Sequence, residues 1–409
     1  MSLPTLVSLP DDDTNTAYYA RLREAASVQQ VQLPNGFPIW LVTRYDDVRT
    51  CLRDERLAVD PRLLSSPEHK FGGRRVPEDT LSSTGRHMLN TDGAEHRRLR
   101  SLVNAELSSG AVGRWRATVD RIVHEQLDHL EREGAEAGGG PVNLMTAFAN
   151  QVPVTVISTV LGLRPADTPV AAALLRELLS SKPTDSPEMI GYYHELVDLV
   201  LATIEHRRSE PGEDLISLLL ARSESVGVRD LLSTVMALFV GGPPTTATAI
   251  GHGAATLGAR PDLRAEALGS EAATARIVEE LLRHHPPFQF AIWRFATADI
   301  HVGDVVIPKD ATVLLSLAAA NRDPRAYDDP DDVRSHRDGE PSHLSFGSGV
   351  HRCIGAPLAR MEITVAVRSL FLRFPRLRLT VDPGELCWSD MVFDRRLESM
   401  PVNLGGAPA

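Results

Sequence analysis

Cysteine is scarce in this chain of 409 residues, which contains only Cys51, Cys353 and Cys387. Three widely separated cysteines are too few for the disulfide framework that stabilises small secreted domains. A reducing compartment is the simplest setting for such a chain, and we therefore expect a cytoplasmic protein.

Long apolar runs and an excess of basic charge are also missing. No apolar run reaches the roughly 18 residues of a membrane helix, and the N-terminus lacks the basic and apolar regions of a signal peptide. The 54 Asp and Glu residues outnumber the 43 Lys and Arg residues, for a net charge of −11. This balance disfavours general nucleic-acid binding. We expect a protein that acts in solution.

The hydrophobic periodicity predicts one folding unit over residues 1–409, mainly α-helical with a smaller β-rich part. Helices are expected over about 90–285 and 357–374, β-rich parts near 28–45, 286–318 and 376–403, and a loop over 59–87. No linker composition separates these regions.

The most informative stretch is Phe346–Gly355, with the sequence FGSGVHRCIG, directly before a predicted helix. Gly347 and Gly349 permit backbone conformations closed to other residues. Cys353 lies just before the helix N-terminus, whose partial positive charge favours a thiolate, a good ligand for iron. A phosphate-binding loop or an ordinary buried cysteine are the alternatives, although the glycine spacing matches no phosphate motif.

A long apolar helix is predicted over residues 228–257, and two adjacent prolines interrupt it at Pro243 and Pro244. Each proline removes one backbone donor, so the helix should kink or open there. The simple interpretation is two separate helices. The other is strain kept for function, which is common at active sites.

These motifs resemble those of the cytochrome P-450 family. FGSGVHRCIG is similar to its haem-thiolate loop, and the segments Glu280–Arg283, Ala320–Pro324 and Asp92–Arg100 are similar to other family motifs in the same order. The resemblance covers roughly residues 20–402. It implies the family's fold, with a large helical domain and a smaller β-rich part, and it is nearest to soluble bacterial members that tailor secondary metabolites.

The resemblance implies haem b as cofactor, with Cys353 as the axial ligand of the iron. Phe346, Gly347 and Gly349 would shape the ligand loop. The residues implied to neutralise the haem propionates are His96, Arg100, Arg294 and His351. Without the resemblance, His96 and Arg100 would be taken for a solvated helix face.

Glu280 and Arg283 lie three residues apart, on one helical face. Taken alone they predict a weak surface ion pair. The resemblance makes them a buried structural pair that is joined by a later arginine. Asp332 stands where that arginine is expected, and Arg334 is the replacement that we predict.

The chain departs from the family where an acid–alcohol pair is expected on the distal side of the haem. Thr245 keeps the alcohol, whereas Pro244 replaces the acid. We predict that Thr245 holds a proton-relay water, with Thr246 as the alternative. Protons would then come through waters, through a substrate hydroxyl, or by a route that avoids the usual one.

The family's layout implies a mostly apolar substrate pocket, with Gln289 as a polar anchor, part of it formed by the loop at 59–89. The other predicted lining residues are Met236, Ala237, Val240, Gly241, Ile292, Met391 and Val392. Such a pocket suits a lipophilic molecule, for example a macrolide, another polyketide, a terpenoid or a peptide.

The sequence contains no flavin- or nicotinamide-binding motif, so electrons must come from another protein. The resemblance implies an acidic ferredoxin and its reductase. Their predicted docking surface is a basic patch on the Cys353 side of the molecule, formed by Arg97, Arg98, Arg352 and Arg360.

We therefore expect a haem-thiolate monooxygenase that hydroxylates or epoxidises a lipophilic small molecule in secondary-metabolite biosynthesis. Because Pro244 replaces the acid, two alternatives stay open. One is a haem-thiolate enzyme that couples substrates oxidatively or uses peroxide. The other is a haem carrier or sensor without catalysis.

Overall fold

The computed structural model describes residues 3–7, 9, 12–65, 86–180, 186–222, 227–389, 392 and 396–405, and gives residues 12 and 13 without side-chain detail. Its helices are α1 (Asp12–Ala25), α2 (Tyr45–Cys51), α3 (Gly93–Asn104), α4 (Arg116–Glu136), α5 (Gln151–Leu161), α6 (Thr168–Leu178), α7 (Pro187–Ser209), α8 (Leu215–Arg222), α9 (Val228–Gly241), α10 (Pro243–Ala259), α11 (Pro261–Gly269), α12 (Glu271–His284), α13 (Leu317–Asn321) and α14 (Ala356–Arg373).

The strands are short. They are β1 (Val28–Gln32), β2 (Pro38–Val42), β3 (Leu57–Ala58), β4 (Val142–Asn143), β5 (Arg294–Ala296), β6 (Ile300–Val302), β7 (Val305–Ile307), β8 (Thr312–Leu315), β9 (Arg378–Leu379), β10 (Cys387–Trp388), β11 (Leu397–Ser399) and β12 (Pro401–Asn403). Strands β1, β2, β8, β5 and β3 form a five-stranded sheet in that order. The described helices contain no segment that is both long and apolar enough to cross a bilayer.

The β-rich part predicted near residues 28–45 contains a hairpin. Strands β1 and β2 pair antiparallel, and Gly36 in the turn has φ +82°. A positive φ at this position explains the Asn35–Gly36 sequence, because glycine adopts it without a steric penalty.

The helical body has one large core, in which Phe148, Phe239 and Phe371 are fully buried. Helix α10 packs closely on α14: a Cβ placed on Gly253 would lie 2.9 Å from a methyl carbon of Val367. The long apolar helix before the site therefore rests on the helix that follows the cysteine loop.

Two predicted elements differ from the structure. Within the stretch 90–285, which was predicted to be helical, strand β4 and a π-helical turn at Met145–Ala149 precede α5. In the β-rich part predicted near 286–318, the first strand is β5, and Phe290 before it forms only an isolated bridge with Ser316. Apolar content alone does not distinguish these short elements.

The predicted interruption of the helix at 228–257 is found at Gly242. Helix α9 ends at Gly241 and α10 begins with Pro243 and Pro244 in its first turn. Prolines are tolerated there because the first helical residues have no intrahelical acceptor for their N–H groups. The chain thus forms two helices at a break that the prolines define.

A buried carboxylate ties α12 to the irregular segment that precedes the cysteine loop. Glu280 makes a two-point ion pair with Arg283 at 2.7 and 2.8 Å. Arg283 also donates to the carbonyls of Asn321, Pro330 and Asp332. These bonds fix the path of residues 321–337 relative to the helical body.

The third partner of this pair differs from the prediction. Arg337 donates from Nε to Glu280 at 2.8 Å, and its side chain is only 9% exposed. Arg334 contributes its backbone N–H, while its guanidinium turns to Asp329. The prediction of Arg334 as a replacement was wrong because the irregular segment folds back three residues later than expected.

We predict that Arg337→Met lowers the free energy of unfolding by about 3 kcal/mol, because it leaves part of a buried carboxylate unpaired. The matched change Arg334→Met should cost less than about 1 kcal/mol, since that guanidinium pairs only with exposed acids. Urea unfolding followed by circular dichroism measures both. Equal losses for the two variants would contradict the assignment of Arg337.

Candidate active site

The loop before α14 is closed by its own backbone. The N–H of Cys353 donates to the carbonyl of Phe346 at 2.8 Å, and that of Gly347 donates to the carbonyl of Leu344 at 2.7 Å. Gly347 and Gly349 have φ values of +69° and +77°. L-amino acids with a side chain are strained in this region, so the loop path itself requires the two glycines.

Gly349 is also needed for packing. A Cβ at this position would lie 2.8 Å from the carbonyl oxygen of Leu52, which follows α2. Next to it, Arg53 donates from Nε to the hydroxyl of Ser348 at 2.8 Å. The loop is therefore held against the β-rich part as well as against α14.

Cys353 is exposed as a residue, whereas its thiol group is surrounded by protein atoms. Burial is the largest influence and raises the thiol pKa; the backbone N–H groups of Gly355 and Ala356 and the charges of Arg100 and Arg352 oppose it. The net direction is upward. The N–H groups at the helix end thus act toward the thiolate, as predicted, but burial outweighs them, and a bound metal ion would have to displace the proton.

A cavity of ≈ 370 Å³ lies beside the loop, and Arg294 on β5 lines it. Arg294 is 2% exposed, and burial lowers its pKa to about 10. Its guanidinium donates to the carbonyl of Ile292 at 3.0 Å, and no carboxylate among the described residues forms an ion pair with it. Acidic residues, among them Asp92, also line the cavity. A buried cation without a directly paired carboxylate is costly, so the part of the cavity next to Arg294 suits an anion.

His96 of α3 and His351 of the loop line the same cavity, with ring centroids 4.1 Å apart. Nε2 of His351 lies 3.0 Å from a carboxylate oxygen of Asp92. Nε2 of His96 and Nδ1 of His351 are buried and have no partner in the described part of the chain. Burial lowers the pKa of His96 to about 4, with further contributions from His351 and Arg100. These two ring nitrogens, which line the same cavity as Arg294, are therefore available for hydrogen bonds to a ligand.

Arg100 lies elsewhere. It is half-buried and donates to the carbonyl of Arg352 at 2.6 Å, next to Cys353. It is not among the residues that line the cavity of Arg294. Its predicted contact with a propionate stays a prediction.

These residues fit a haem group, which binds a sulfur through its iron and carries two carboxylates at its edge. Cys353 presents a sulfur for the iron. Among the described residues Arg294 has no carboxylate partner, and Nε2 of His96 and Nδ1 of His351 have no hydrogen-bond partner; the two carboxylates would supply what these groups lack. When bound, a haem would thus satisfy the groups that the protein leaves unpaired.

Thr245 and Thr246 both use their hydroxyls at the break between α9 and α10. The hydroxyl of Thr245 donates to the carbonyl of Gly242 at 2.9 Å, and that of Thr246 donates to the same oxygen at 3.2 Å. Thr246 is buried, whereas Thr245 is half-buried. Of the two threonines, only Thr245 therefore has a side chain that is partly accessible to a ligand.

The predicted pocket residues differ in how open they are. Gly241 and Ile292 are exposed and Val240 is half-buried, but Ala237 is buried and Met236 has no exposed surface. The first three lie at open surface, and the last two are closed off in this structure.

The predicted polar anchor, Gln289, is buried and already paired. It accepts from the amide of Asn15 at 2.9 Å and donates to the carbonyl of Val392 at 3.1 Å. Met391 and residues 66–85 of the predicted pocket loop lie outside the described residues.

Two of the four predicted patch arginines are neutralised. Arg98 pairs with Asp230 at the start of α9, and Arg360 makes a two-point pair with Glu279 at 2.6 and 2.8 Å. Arg97 and Arg352 are exposed, and no described carboxylate forms an ion pair with either. The patch is therefore smaller than expected at these four positions.

Arg360 has a different role, because its guanidinium lies 4.4 Å from the ring centroid of Phe346. His343 also approaches Glu279, at 3.2 Å. Burial raises the pKa of Glu279, but its bonds to His343 and Arg360 outweigh burial and hold the pKa at about 2. This ionised cluster braces the aromatic ring that closes the cysteine loop.

Sequence reasoning missed the roles of two acids. Asp92, quoted only as the start of a motif, accepts from His351 and from the backbone N–H groups of Val59 and Asp60. Glu362 on α14 is buried with Oε2 unpaired in the described part of the chain, and burial raises its pKa well above the usual value. The only sequence signal for Glu362 is one acid within an apolar helix.

The chain has clear relatives. The family model described as "Cytochrome P450" matches residues 272–386. The chain is similar to 6-deoxyerythronolide B hydroxylase of Saccharopolyspora erythraea, at 33% identity over 98% of this chain and 100% of the relative. It is also similar to the mycinamicin IV hydroxylase/epoxidase of Micromonospora griseorubida, at 34% identity over 94% of each chain.

A solved structure gives the same result for the fold. CYP154C4 from Streptomyces sp. W2061 matches with a TM-score of 0.89 and 31% identity, covering 100% of this chain and 99% of that one. The fold class predicted from the sequence, a large helical domain with a smaller β-rich part, is confirmed.

Proposed function

The chain belongs to the cytochrome P450 family, and we propose that this monooxygenase holds haem b and hydroxylates or epoxidises a lipophilic small molecule in secondary-metabolite biosynthesis. One observation carries the choice of cofactor site. Cys353 is exposed on a loop whose residues Val350 and His351 line a cavity. In that cavity Arg294 has no counter-ion, and two histidine nitrogens have no partner, among the described residues. By their names, one relative hydroxylates 6-deoxyerythronolide B, and the other hydroxylates or epoxidises mycinamicin IV.

The haem, when bound, supplies the iron that activates O2 and transfers one oxygen atom to the substrate. Cys353 would hold that iron through its sulfur and give it electron density. Arg294, His96 and His351 would bind the propionates and so orient the ring. Phe346 covers the cysteine loop and limits the access of water to the sulfur.

The distal side must provide protons without a local carboxylate. Thr245 commits its hydroxyl hydrogen to the carbonyl of Gly242, so its oxygen lone pairs are free to accept a bond from a water. Pro244 provides no acid and no N–H group. Thr245 therefore holds a water in place, and the proton has to reach that water from solvent or from the substrate.

The electrons come from a redox partner, and we propose an acidic ferredoxin with its reductase. Arg53, Arg97, Arg276 and Arg352 are exposed, and none forms an ion pair with a described carboxylate. Arg53, Arg276 and Arg352 line a surface cleft of ≈ 760 Å³ that reaches the cysteine loop. These four arginines, named here the Cys-side basic surface, face an acidic partner in spite of the net negative charge.

The first test is the ferrous–carbon monoxide difference spectrum. Wild type should give a strongly red-shifted Soret band, and Cys353→Ala should lose it because no other thiolate replaces the ligand. Cys387→Ala is the matched control, since Cys387 is also exposed but lies outside the loop. An unshifted band in fresh wild type would rule out thiolate ligation and favour the haem carrier or sensor.

Thr245→Ala should uncouple reductant use from product formation, because the variant loses the acceptor for the relay water. The measured quantity is product formed and hydrogen peroxide released per reduced nicotinamide consumed, with any substrate of the wild type. Thr245→Ser keeps the hydroxyl and should restore coupling. Full coupling in Thr245→Ala would assign the role to Thr246 or to the substrate.

Arg276→Gln combined with Arg97→Gln should slow reduction by an acidic ferredoxin by about tenfold at low salt and flatten the salt dependence of the rate. Arg98→Gln is the control, because Asp230 already neutralises Arg98. Stopped-flow absorbance measures reduction, and dithionite should reduce all variants equally. A wild-type rate that does not depend on ionic strength would refute the Cys-side basic surface.

A further inference from the structure

The two prolines at the start of α10 leave backbone acceptors without donors. In an α-helix the N–H of residue i donates to the carbonyl of residue i−4, so Pro243 and Pro244 cannot serve the carbonyls of Phe239 and Val240. The nearest helical bonds on either side are Gly242 N–H to Leu238 at 3.1 Å and Thr246 N–H to Gly242 at 3.3 Å.

The carbonyl of Gly241 lies between these two bonds. In the described part of the chain no backbone N–H donates to it, and the hydroxyl of Thr245 reaches it only at 3.4 Å. That hydroxyl makes its shorter bond to Gly242. Three successive carbonyls, those of residues 239–241, are thus left without a backbone donor.

Two of these carbonyls belong to residues with open surface. Gly241 is exposed, and because glycine consists of backbone only, its exposed surface is backbone surface. A Cβ placed on Gly241 would meet nothing within 4 Å. Val240 is half-buried, whereas Phe239 is fully buried and its carbonyl is closed to a ligand. We call the carbonyls of Val240 and Gly241 the acceptor pair.

The nearby Thr245 and the predicted anchor Gln289 make their shorter hydrogen bonds to other groups and do not replace the missing backbone donors of the acceptor pair. Thr245 spends its hydroxyl hydrogen on Gly242 and adds only lone pairs. The amide of Gln289, the predicted polar anchor, donates to Val392 instead. A ligand that covers the acceptor pair must therefore bring its own hydroxyl or N–H group or leave two acceptors unsatisfied.

We propose that the acceptor pair is a binding subsite for a hydroxyl or N–H group of the substrate, so that this enzyme selects donor-bearing molecules over their alkylated analogues. The inference rests on the proposed function, because it places the substrate at this break. It assigns a role in specificity to Pro244, which leaves the carbonyl of Val240 without its helical donor. A buried acceptor without a donor weakens binding by roughly 5- to 100-fold.

The experiment uses the holoenzyme and probes that bind whatever the natural substrate is. The probes are imidazoles that ligate haem iron and carry an ω-hydroxyalkyl chain of two to six carbons, each paired with its methyl ether. Spectral titration of the Soret band gives a dissociation constant for each probe. At the best chain length the alcohol should bind about tenfold more tightly than its ether in wild type.

The double variant Pro243→Ala, Pro244→Ala restores two N–H groups, which can donate to the carbonyls of Phe239 and Val240. One member of the acceptor pair is then satisfied within the helix, so the ratio should fall several-fold toward one. Alanine is also the best helix former, so the variant should fold. Pro261→Ala is the matched control, because Pro261 likewise begins a helix, α11, and should leave the ratio unchanged.

Two outcomes would overturn the inference: a ratio near one at every chain length in wild type, which would mean that water alone occupies the acceptor pair, or an unchanged ratio in the double variant. The ferrous–carbon monoxide band is recorded on the same preparations. Loss of the band with the ratio retained would refute only the proposed function, and an intact band without any alcohol preference would refute only the subsite.

Discussion

The position of the cysteine loop depends on one buried carboxylate, that of Glu280. Its ion pairs with Arg283 and Arg337 hold the irregular segment after α13 against the helical body. The segment that this network fixes leads directly into Leu344 and Ser345, and Ser345 donates to the carbonyl of Leu282. An ionised group in the interior is tolerable only with this many partners, so the loop can take few other positions.

The site itself is built from unpaired groups. Within the described residues, Arg294 has no carboxylate partner and Nε2 of His96 has no hydrogen-bond partner. At the helix break, the carbonyls of Val240 and Gly241 have no backbone donor in the part of the chain that the structure describes. An unpaired charge or hydrogen-bond acceptor destabilises the protein without ligand. A ligand that supplies the missing charge or hydrogen removes this cost, so it contributes to the free energy of binding.

In the cluster of Glu279, His343 and Arg360, the tertiary structure gives Arg360 a different partner from the one that the sequence predicts. From the sequence, Arg360 is one of several arginines available to an acidic partner. In the structure it pairs with Glu279, 81 residues away in the chain, and lies over Phe346. The proposed Cys-side basic surface consists instead of arginines that form no ion pair with a described carboxylate. Two of them, Arg53 and Arg276, were not selected from the sequence.

The sequence by itself determined what depends on covalent geometry. Gly347 and Gly349 predicted a loop with positive φ angles. Pro243 and Pro244 predicted a helix break and missing backbone donors. Both predictions follow from the covalent structure of the residues themselves. Only the tertiary structure decided the partners. Arg337 reaches Glu280 across 57 residues, Arg98 reaches Asp230 across 132, and Gln289 meets Asn15 across 274. Such pairings, like the net effect of burial on the Cys353 thiol, depend on which distant atoms the fold brings together, and no local pattern encodes that.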